Sequence, residues 1–143
     1  MNILVINGPN VNFLGIREKE IYGEKTYRDL ENYLKSKAEE MQIRLDIFQS
    51  NHEGAIIDKL QEVYFRNFDG VILNAGALTH YSYAIRDAIK AIPIRTVEVH
   101  LTDLSHREAF RKISVIHDVC AATFMGKGFE SYLEALKYLA GKL

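Results

Sequence analysis

The sequence predicts an α/β protein in which five strands alternate with helices to form a three-layer sandwich around a parallel sheet. Short aliphatic runs alternate with segments whose apolar residues recur every three or four positions, the pattern of strands followed by helices. Most connections are short, as expected for right-handed crossovers. With 143 residues, 48% of them apolar, the chain has the size and composition of one domain spanning residues 1–143.

The first strand and the first helix are separated by an unusually long connection. Residues 2–6 form a near-continuous aliphatic run, as expected for a strand covered on both faces. Thr26 and Asp29 form a capping pair that predicts the start of a helix. From residue 27 to residue 41, apolar side chains recur at helical spacing and give that helix one buried face.

The second strand is expected at residues 43–48, where apolar and polar residues alternate. Ser50 and Glu53 then give a second capping signature, which predicts that a helix begins there. The third, fourth and fifth strands are expected at 71–73, 96–99 and 119–125. The remaining helices are expected at 81–91, through Arg107 and Arg111, and after residue 128. For a single domain of this size, these elements favour the flavodoxin-like strand order 2-1-3-4-5.

Composition excludes several classes of function. Lys plus Arg is 18 and Asp plus Glu is 19, so the chain has no basic excess to attract nucleic acid. No apolar run approaches the roughly 18 residues of a membrane span, and the first residues lack the basic start of a signal peptide. The single cysteine, Cys120, lies in an apolar run and is expected to pack in the core. We therefore expect a cytoplasmic protein that does not bind membranes.

The connection at residues 7–23 is the most informative stretch. Its 17 residues far exceed the usual strand-to-helix connection of about 2–6. Apolar residues such as Phe13 and Leu14 give it surface to bury, and Gly15 and Gly23 give it hinges. These features are typical of an ordered lid over a site.

Polar side chains gather at the predicted carboxyl ends of the strands, where ligands bind in open parallel sheets. These side chains are Asn10, Arg17, Tyr22, Asn74, His80, Glu98, His100, Thr102, Arg107 and Arg111. Taken singly, each has a structural explanation: an asparagine can shape a turn, a histidine can be a satisfied core residue and a tyrosine can serve packing. Their common location favours a site, and by itself indicates an enzyme acting on a small, hydroxylated, anionic metabolite.

Several motifs resemble those of the type II 3-dehydroquinate dehydratases. The first runs from Asn7 to Glu18 and is followed by Tyr22-Gly23. Others are Phe48-Gln49-Ser50-Asn51, Asn74-Ala75-Gly76-Ala77-Leu78-Thr79-His80, Glu98-Val99-His100-Leu101-Thr102 and Arg107-Glu108-Ala109-Phe110-Arg111. The resemblance covers nearly the whole chain. It departs from the family at Lys19, Asp103 and Ser105, none of which removes a chemical group that the reaction needs.

The resemblance implies a hydro-lyase of the shikimate pathway, serving chorismate and aromatic amino acid biosynthesis. Such an enzyme converts 3-dehydroquinate to 3-dehydroshikimate by anti elimination of water through an enolate. In the family, Tyr22 would be the base and Arg17 would hold it as phenolate. Asn10 would hold a water at the enolate, and His100, oriented by Glu98, would be the acid.

The remaining implications concern binding and assembly. Asn74, His80 and Arg111 would bind ring hydroxyls, and Leu101 and Thr102 would bind the carboxylate. Asp87 would reach the site from a neighbouring subunit, because the family forms a dodecamer built from trimers. No metal and no organic cofactor are expected, and residues 1–143 would form a single catalytic domain.

Two alternatives share the predicted fold. A flavin-binding or other small-molecule-binding protein of the flavodoxin type would need a phosphate-cradling loop after the first strand, whereas that loop has no serine or threonine before Thr26. A phospho-accepting receiver domain would need an aspartate at the end of the third strand, where Asn74 stands. Both are less consistent with the sequence than the dehydratase.

Overall fold

The computed structural model describes all residues, 1–143, and contains a five-stranded parallel sheet in the order β2-β1-β3-β4-β5. The strands are β1 (Asn2–Asn7), β2 (Arg44–Gln49), β3 (Gly70–Asn74), β4 (Thr96–His100) and β5 (Ala122–Met125). The predicted strand order is therefore confirmed. The β5 strand is shorter than expected because His117–Val119 forms a 3₁₀ turn before it.

Helices cover both faces of the sheet. They are α1 (Lys19–Tyr22), α2 (Tyr27–Glu40), α3 (Glu53–Phe65), α4 (Tyr83–Ala91) and α5 (Phe129–Leu139). One core lies between the sheet and helices α2 and α5, and the other between the sheet and helices α3 and α4. Alternate β1 side chains serve the two cores, which explains why that strand is aliphatic at nearly every position. None of the helices is long and apolar enough to cross a membrane.

The start of α2 is confirmed at Thr26. Its hydroxyl accepts a hydrogen bond from the Asp29 amide at 3.1 Å, and the Asp29 carboxylate accepts one from the Thr26 amide at 2.8 Å. The capping prediction for Ser50 and Glu53 is wrong, because α3 begins after His52 without a side-chain cap. Glu53 instead accepts a hydrogen bond from Ser82 at 2.5 Å, which ties the starts of α3 and α4 together.

Two expected segments differ in detail. The short helix expected through Arg107 and Arg111 is a pair of 3₁₀ turns, Leu104–His106 and Ala109–Lys112, with Arg107 between them. The long connection after β1 contains a 3₁₀ turn at Val11–Phe13 and the single helical turn α1. In both places the turns are too short to give a helical apolar period, so the sequence pattern does not reveal them.

The connections after β1 and β3 touch at the point where the strand order reverses. The Gly8 amide donates to the Asn74 carbonyl at 2.7 Å, and a Cβ at Gly8 would lie 2.7 Å from the Ala75 carbonyl oxygen. Any larger side chain at Gly8 would push the two loops apart. The residues that follow on the two loops, Pro9 and Asn10 on one and Gly76 and Ala77 on the other, line the cavity described next.

Candidate active site

An open cleft lies at the carboxyl ends of β1, β3 and β4. Its wall includes most of the side chains that sequence patterns singled out: Asn10, Arg17, Tyr22, Asn74, His80, His100, Leu101, Thr102 and Arg111. Glu98 lies behind His100, and Asp87 lies elsewhere on the surface. The structure thus brings together residues that are up to 101 positions apart, from Asn10 to Arg111.

Tyr22 lies in the lid-like connection, at the end of α1, with its hydroxyl between two guanidinium groups. Arg17 Nη2 donates to the Tyr22 hydroxyl at 3.2 Å, and Arg107 Nη1 donates to it at the same distance. Both guanidinium groups also lie over the Tyr22 ring, with centroid distances of 4.6 and 5.4 Å. Both arginines keep their charge at any accessible pH, so the Tyr22 oxygen faces two permanent cations.

Arg107 is a site residue that had no role assigned from sequence. Its side chain is only 11% exposed and also donates to the Thr102 hydroxyl at 3.2 Å. Burial works against its charge, yet hydrogen bonding and charge interaction with Tyr22, together with Glu108 and Glu18, raise the pKa of Arg107. In the sequence, only its position four residues before Arg111 pointed to a place in the site. Its contact with Tyr22 could not be read from the sequence, because the two residues are 85 positions apart.

His100 and Glu98 form a buried pair at the end of β4. His100 Nε2 lies 2.5 Å from Glu98 Oε2, so Nδ1 is the nitrogen left to serve the cavity. Glu98 also accepts hydrogen bonds from Ser114 at 2.8 Å and from Thr123 at 3.0 Å. Burial disfavours its charge, but hydrogen bonding and charge interaction with His100, together with the two hydroxyls, leave the pKa of Glu98 below its ordinary value. The pair therefore consists of a carboxylate and an imidazole that it orients.

His80 and Arg111 form the wall beside this pair. His80 Nδ1 lies 2.7 Å from the Ile113 carbonyl oxygen, a contact that places the proton on Nδ1 in the neutral ring and leaves Nε2 as acceptor. Burial is the main reason that the pKa of His80 is lowered. Arg111 is held by Glu108, whose carboxylate accepts from Arg111 Nε at 2.7 Å. Together they offer an acceptor and a cation to a polar ligand.

Asn74 is held by a buried network below the floor of the cleft. The Asn74 side-chain amide donates to the Tyr132 hydroxyl at 2.9 Å, and that hydroxyl donates to the Asn7 side-chain oxygen at 2.6 Å. The Asn74 side-chain oxygen accepts from the Gly76 amide at 3.2 Å. Tyr132 is fully buried, and burial raises the pKa of its hydroxyl far above the ordinary value. The tyrosine therefore stays protonated and fixes both asparagines.

Asn10 lies at the mouth of the cleft in the left-handed backbone region, at φ 69°, where asparagine is better tolerated than most residues. The backbone N–H of Asn10 donates to the Asn51 side-chain oxygen at 3.0 Å, and the Gln49 side-chain amide donates to the same oxygen at 3.2 Å. Gln49 also reaches the Asn12 side chain at 3.2 Å. The motif after β2 thus supports the loop after β1.

Two of the three departures from the family motifs, Asp103 and Ser105, contact each other. Asp103 accepts hydrogen bonds from the Ser105 amide at 2.9 Å and from its hydroxyl at 2.7 Å. The turn beside Thr102 is therefore closed within this segment. Lys19 is exposed on α1 and does not line the cleft.

Asp87 is the one proposed substrate-binding residue that this chain does not place near its own cleft. It is exposed on α4, and it is absent from the cavity wall. Neither the cleft nor any other part of the chain contains a group of three His, Cys, Asp or Glu side chains arranged to hold a metal ion.

The fold and the cleft define a class of protein: a flavodoxin-like α/β enzyme whose site has a tyrosine between arginines on one side and a carboxylate–histidine pair on the other. The profile described as Dehydroquinase class II matches residues 1–140. The chain belongs to the class II dehydroquinase family.

Individual relatives agree with this assignment. A protein of Lachnospira eligens named 3-dehydroquinate dehydratase is 52% identical over 138 residues, covering 96% of this chain and 94% of that protein. The crystal structure of type II dehydroquinase from Butyrivibrio crossotus is 51% identical, with a TM-score of 0.97 and coverage of 98% and 97% of the two chains. The corresponding structure from Propionibacterium acnes is 34% identical, with a TM-score of 0.94 over 98% and 96%.

Proposed function

We propose that the chain is a 3-dehydroquinate dehydratase, which removes water from 3-dehydroquinate to give 3-dehydroshikimate in the shikimate pathway. Family membership and the names of the relatives support the reaction. The observation that carries the proposal is the position of the Tyr22 hydroxyl, 3.2 Å from both Arg17 and Arg107, in the same cleft as the His100–Glu98 pair. The cleft thus holds a candidate base and a candidate acid on separate elements.

The base is Tyr22. Its phenolate removes one proton from C2 of the substrate, next to the C3 ketone, and the electron pair moves onto the ketone oxygen to form an enolate. Ordinary tyrosines lose their proton near pH 10, so a phenolate at neutral pH needs stabilisation. Two guanidinium donors at hydrogen-bonding distance supply it.

Asn10 acts at the enolate. From the mouth of the cleft it holds a water that donates to the developing oxyanion. Fixed donors aimed at charge that appears only during reaction are usually a large catalytic contribution. The hydrogen bonds of Asn10 and Gln49 to Asn51 support this placement, because they fix the loop that carries the donor.

The acid is His100. As the enolate collapses, the C1–O bond breaks and the departing hydroxyl takes a proton from His100 to leave as water, giving the C1=C2 double bond conjugated with the ketone. The substrate has then lost one water, while Tyr22 has gained a proton and His100 has lost one. Tyr22 gives its proton to solvent and His100 takes one up, which restores the enzyme for the next turnover. Because base and acid come from different loops, they address opposite faces of the ring, and the elimination is anti.

The remaining cleft residues bind the substrate. Asn74, His80 and Arg111 bind ring hydroxyls, while the Leu101 backbone N–H and the Thr102 hydroxyl bind the carboxylate. Arg107, which donates to Thr102 at 3.2 Å, adds positive charge on that side. This mixture of donors and acceptors suits a carboxylate that carries several hydroxyls.

The assembly is a dodecamer built from trimers, in which Asp87 of one subunit completes the cleft of the next. Two features support it: Asp87 is exposed on α4, and four large apolar or aromatic side chains are more than half exposed, namely Tyr81, Tyr83, Phe110 and Ile113. Such residues are expected to be covered in an oligomer. Each subunit is one catalytic domain, 1–143, that works in the cytoplasm.

The reaction is tested by mixing purified protein with 3-dehydroquinate and following the ultraviolet absorbance of the conjugated enone. A time-dependent rise that scales with protein concentration supports the proposal. No rise, under conditions in which a relative of this family is active, contradicts it.

A further inference from the structure

His117 connects the buried carboxylate of Glu98 with the protein surface. It lies in the 3₁₀ turn before β5, and its side chain is 68% exposed. His117 Nδ1 lies 3.0 Å from the Thr123 hydroxyl and 3.7 Å from Glu98 Oε1. Because Thr123 donates its only proton to Glu98, it accepts from His117. Glu98 therefore lies between two imidazoles, His100 on the cleft side and His117 on the solvent side.

We propose that His117 is a positioning residue which adjusts, through Thr123 and Glu98, how firmly His100 keeps its acid proton. A charged His117 competes for the single carboxylate and disfavours a second imidazolium at His100. A neutral His117 leaves the carboxylate to His100. The two imidazoles are therefore coupled through one carboxylate. The catalytic meaning of this coupling rests on the proposed role of His100.

The other titratable groups around Glu98, His100 and His117 are either paired, neutral or on the cleft side. On the solvent side Asp118 is paired with Arg86 through two contacts. Cys120 is neutral, because burial and the charge of Glu98 raise the pKa of its thiol to about 12. On the cleft side, His80 and Arg111 face His100. Besides His100, His117 is the only cation-forming side chain within 4.0 Å of Glu98.

The test compares His117→Arg, which keeps a positive charge at every pH, with His117→Gln, which removes it. The titration of His100 is measured in the intact protein by exchange of the imidazole Cε1 hydrogen in D₂O, read for each histidine by mass spectrometry. The His100 curve is expected about 0.5 pH unit lower in His117→Arg than in His117→Gln, the size of an exposed charge interaction. The wild-type curve should follow the arginine variant at low pH and the glutamine variant at high pH.

His52 supplies the matched control. It is exposed at the start of α3, and His52→Arg against His52→Gln makes the same change of charge away from Glu98. Coincident His100 curves in the two His117 variants, or an equal shift in the two His52 variants, overturn the proposal. Adding Thr123→Val should shrink the difference between the His117 variants, and an unchanged difference rules out the path through Thr123.

Kinetics give a second readout that separates this inference from the proposed reaction. The alkaline limb of the kcat/KM profile, which reports the free enzyme, should move with the His100 exchange curve, to lower pH in His117→Arg than in His117→Gln. A wild-type protein without dehydratase activity would defeat the proposed function, whereas the exchange curves would still decide the coupling. Active variants with coincident curves would defeat the coupling and leave the reaction standing.

Discussion

At the scale of single residues, the proposed role of Tyr22 as the base can be tested directly. Tyr22→Phe keeps the ring beneath both guanidinium groups and removes only the proton acceptor. We expect kcat to fall by roughly 10²–10⁴-fold, the usual contribution of a general base, with substrate binding and thermal stability close to wild type. Isothermal titration and steady-state kinetics measure the two effects separately. Turnover within a few-fold of wild type would place the base elsewhere.

The two arginines beside Tyr22 provide a test by pH. Arg17→Ala and Arg107→Ala should each lower activity at neutral pH and move the pH optimum upward, because the phenolate loses one of its two charged donors. The double variant should move it further. Arg28→Ala, which removes a positive charge from helix α2 outside the cleft, serves as the control. An optimum that stays in place in both single variants would show that neither arginine supports the phenolate.

The residues of the cleft were predictable from sequence to different degrees. Tyr22, His100 and Asn74 could be named because each stands in a family motif at the end of a strand or in the lid. Arg107 stands in a motif too, but its role depends on a contact with Tyr22 across 85 positions, and no local pattern encodes such a contact. The same is true of His117 and Thr123, which reach Glu98 only after β5 pairs with β4.

At the scale of elements, one side chain, Tyr132, hydrogen-bonds α5 to the ends of β1 and β3, where the strand order reverses. Tyr132 is the only residue of α5 whose side chain hydrogen-bonds to Asn7 or Asn74, which lie side by side at the ends of β1 and β3. Tyr132→Phe leaves two buried polar groups without that partner, which should cost about 1–3 kcal/mol of unfolding free energy. It should also raise KM, because the Asn74 side chain, a proposed substrate ligand, loses its hydrogen bond to Tyr132 and keeps only the one from the Gly76 amide.

Tyr138 offers the matched control on the same helix. Its hydroxyl makes a single long contact of 3.4 Å with the Ala121 carbonyl, so Tyr138→Phe should change stability by less than about 0.5 kcal/mol. Chemical denaturation compares the two variants. Equal stabilities in Tyr132→Phe and Tyr138→Phe would show that the buried network contributes nothing.

Sequence predicted the elements well where local physics alone determines them. The start of α2 follows from a reciprocal cap that Thr26 and Asp29 complete by themselves. The Ser50 and Glu53 signature failed because Glu53 has a tertiary partner in Ser82, so its carboxylate is not available to close a cap. The strand order, in contrast, follows from general rules of parallel sheets, and these hold here.

At the scale of the whole molecule, the position of Asp87 outside its own cleft predicts shared sites. Asp87→Ala should raise KM with the fold intact. The decisive experiment co-expresses Asp87→Ala and Tyr22→Phe chains in one assembly. An Asp87→Ala chain next to a Tyr22→Phe chain then has its own Tyr22 and its neighbour's Asp87, so activity should exceed that of either variant alone. No recovery in verified mixed oligomers, or a fully active monomer in sedimentation, would contradict the shared site.

At the same scale, the positions of the lysines predict that the reaction does not proceed through a lysine Schiff base. A lysine that forms a Schiff base with a ketone must be partly desolvated so that it is neutral near pH 7. No strand contains a lysine, and none lines the cleft. Lys19 and Lys25, the two lysines nearest to Tyr22 in sequence, are both exposed. Borohydride added together with 3-dehydroquinate should therefore neither inactivate the enzyme nor add ligand mass to the chain, as intact-mass spectrometry can show. A trapped lysine adduct would overturn the enolate mechanism and the roles of Tyr22 and His100.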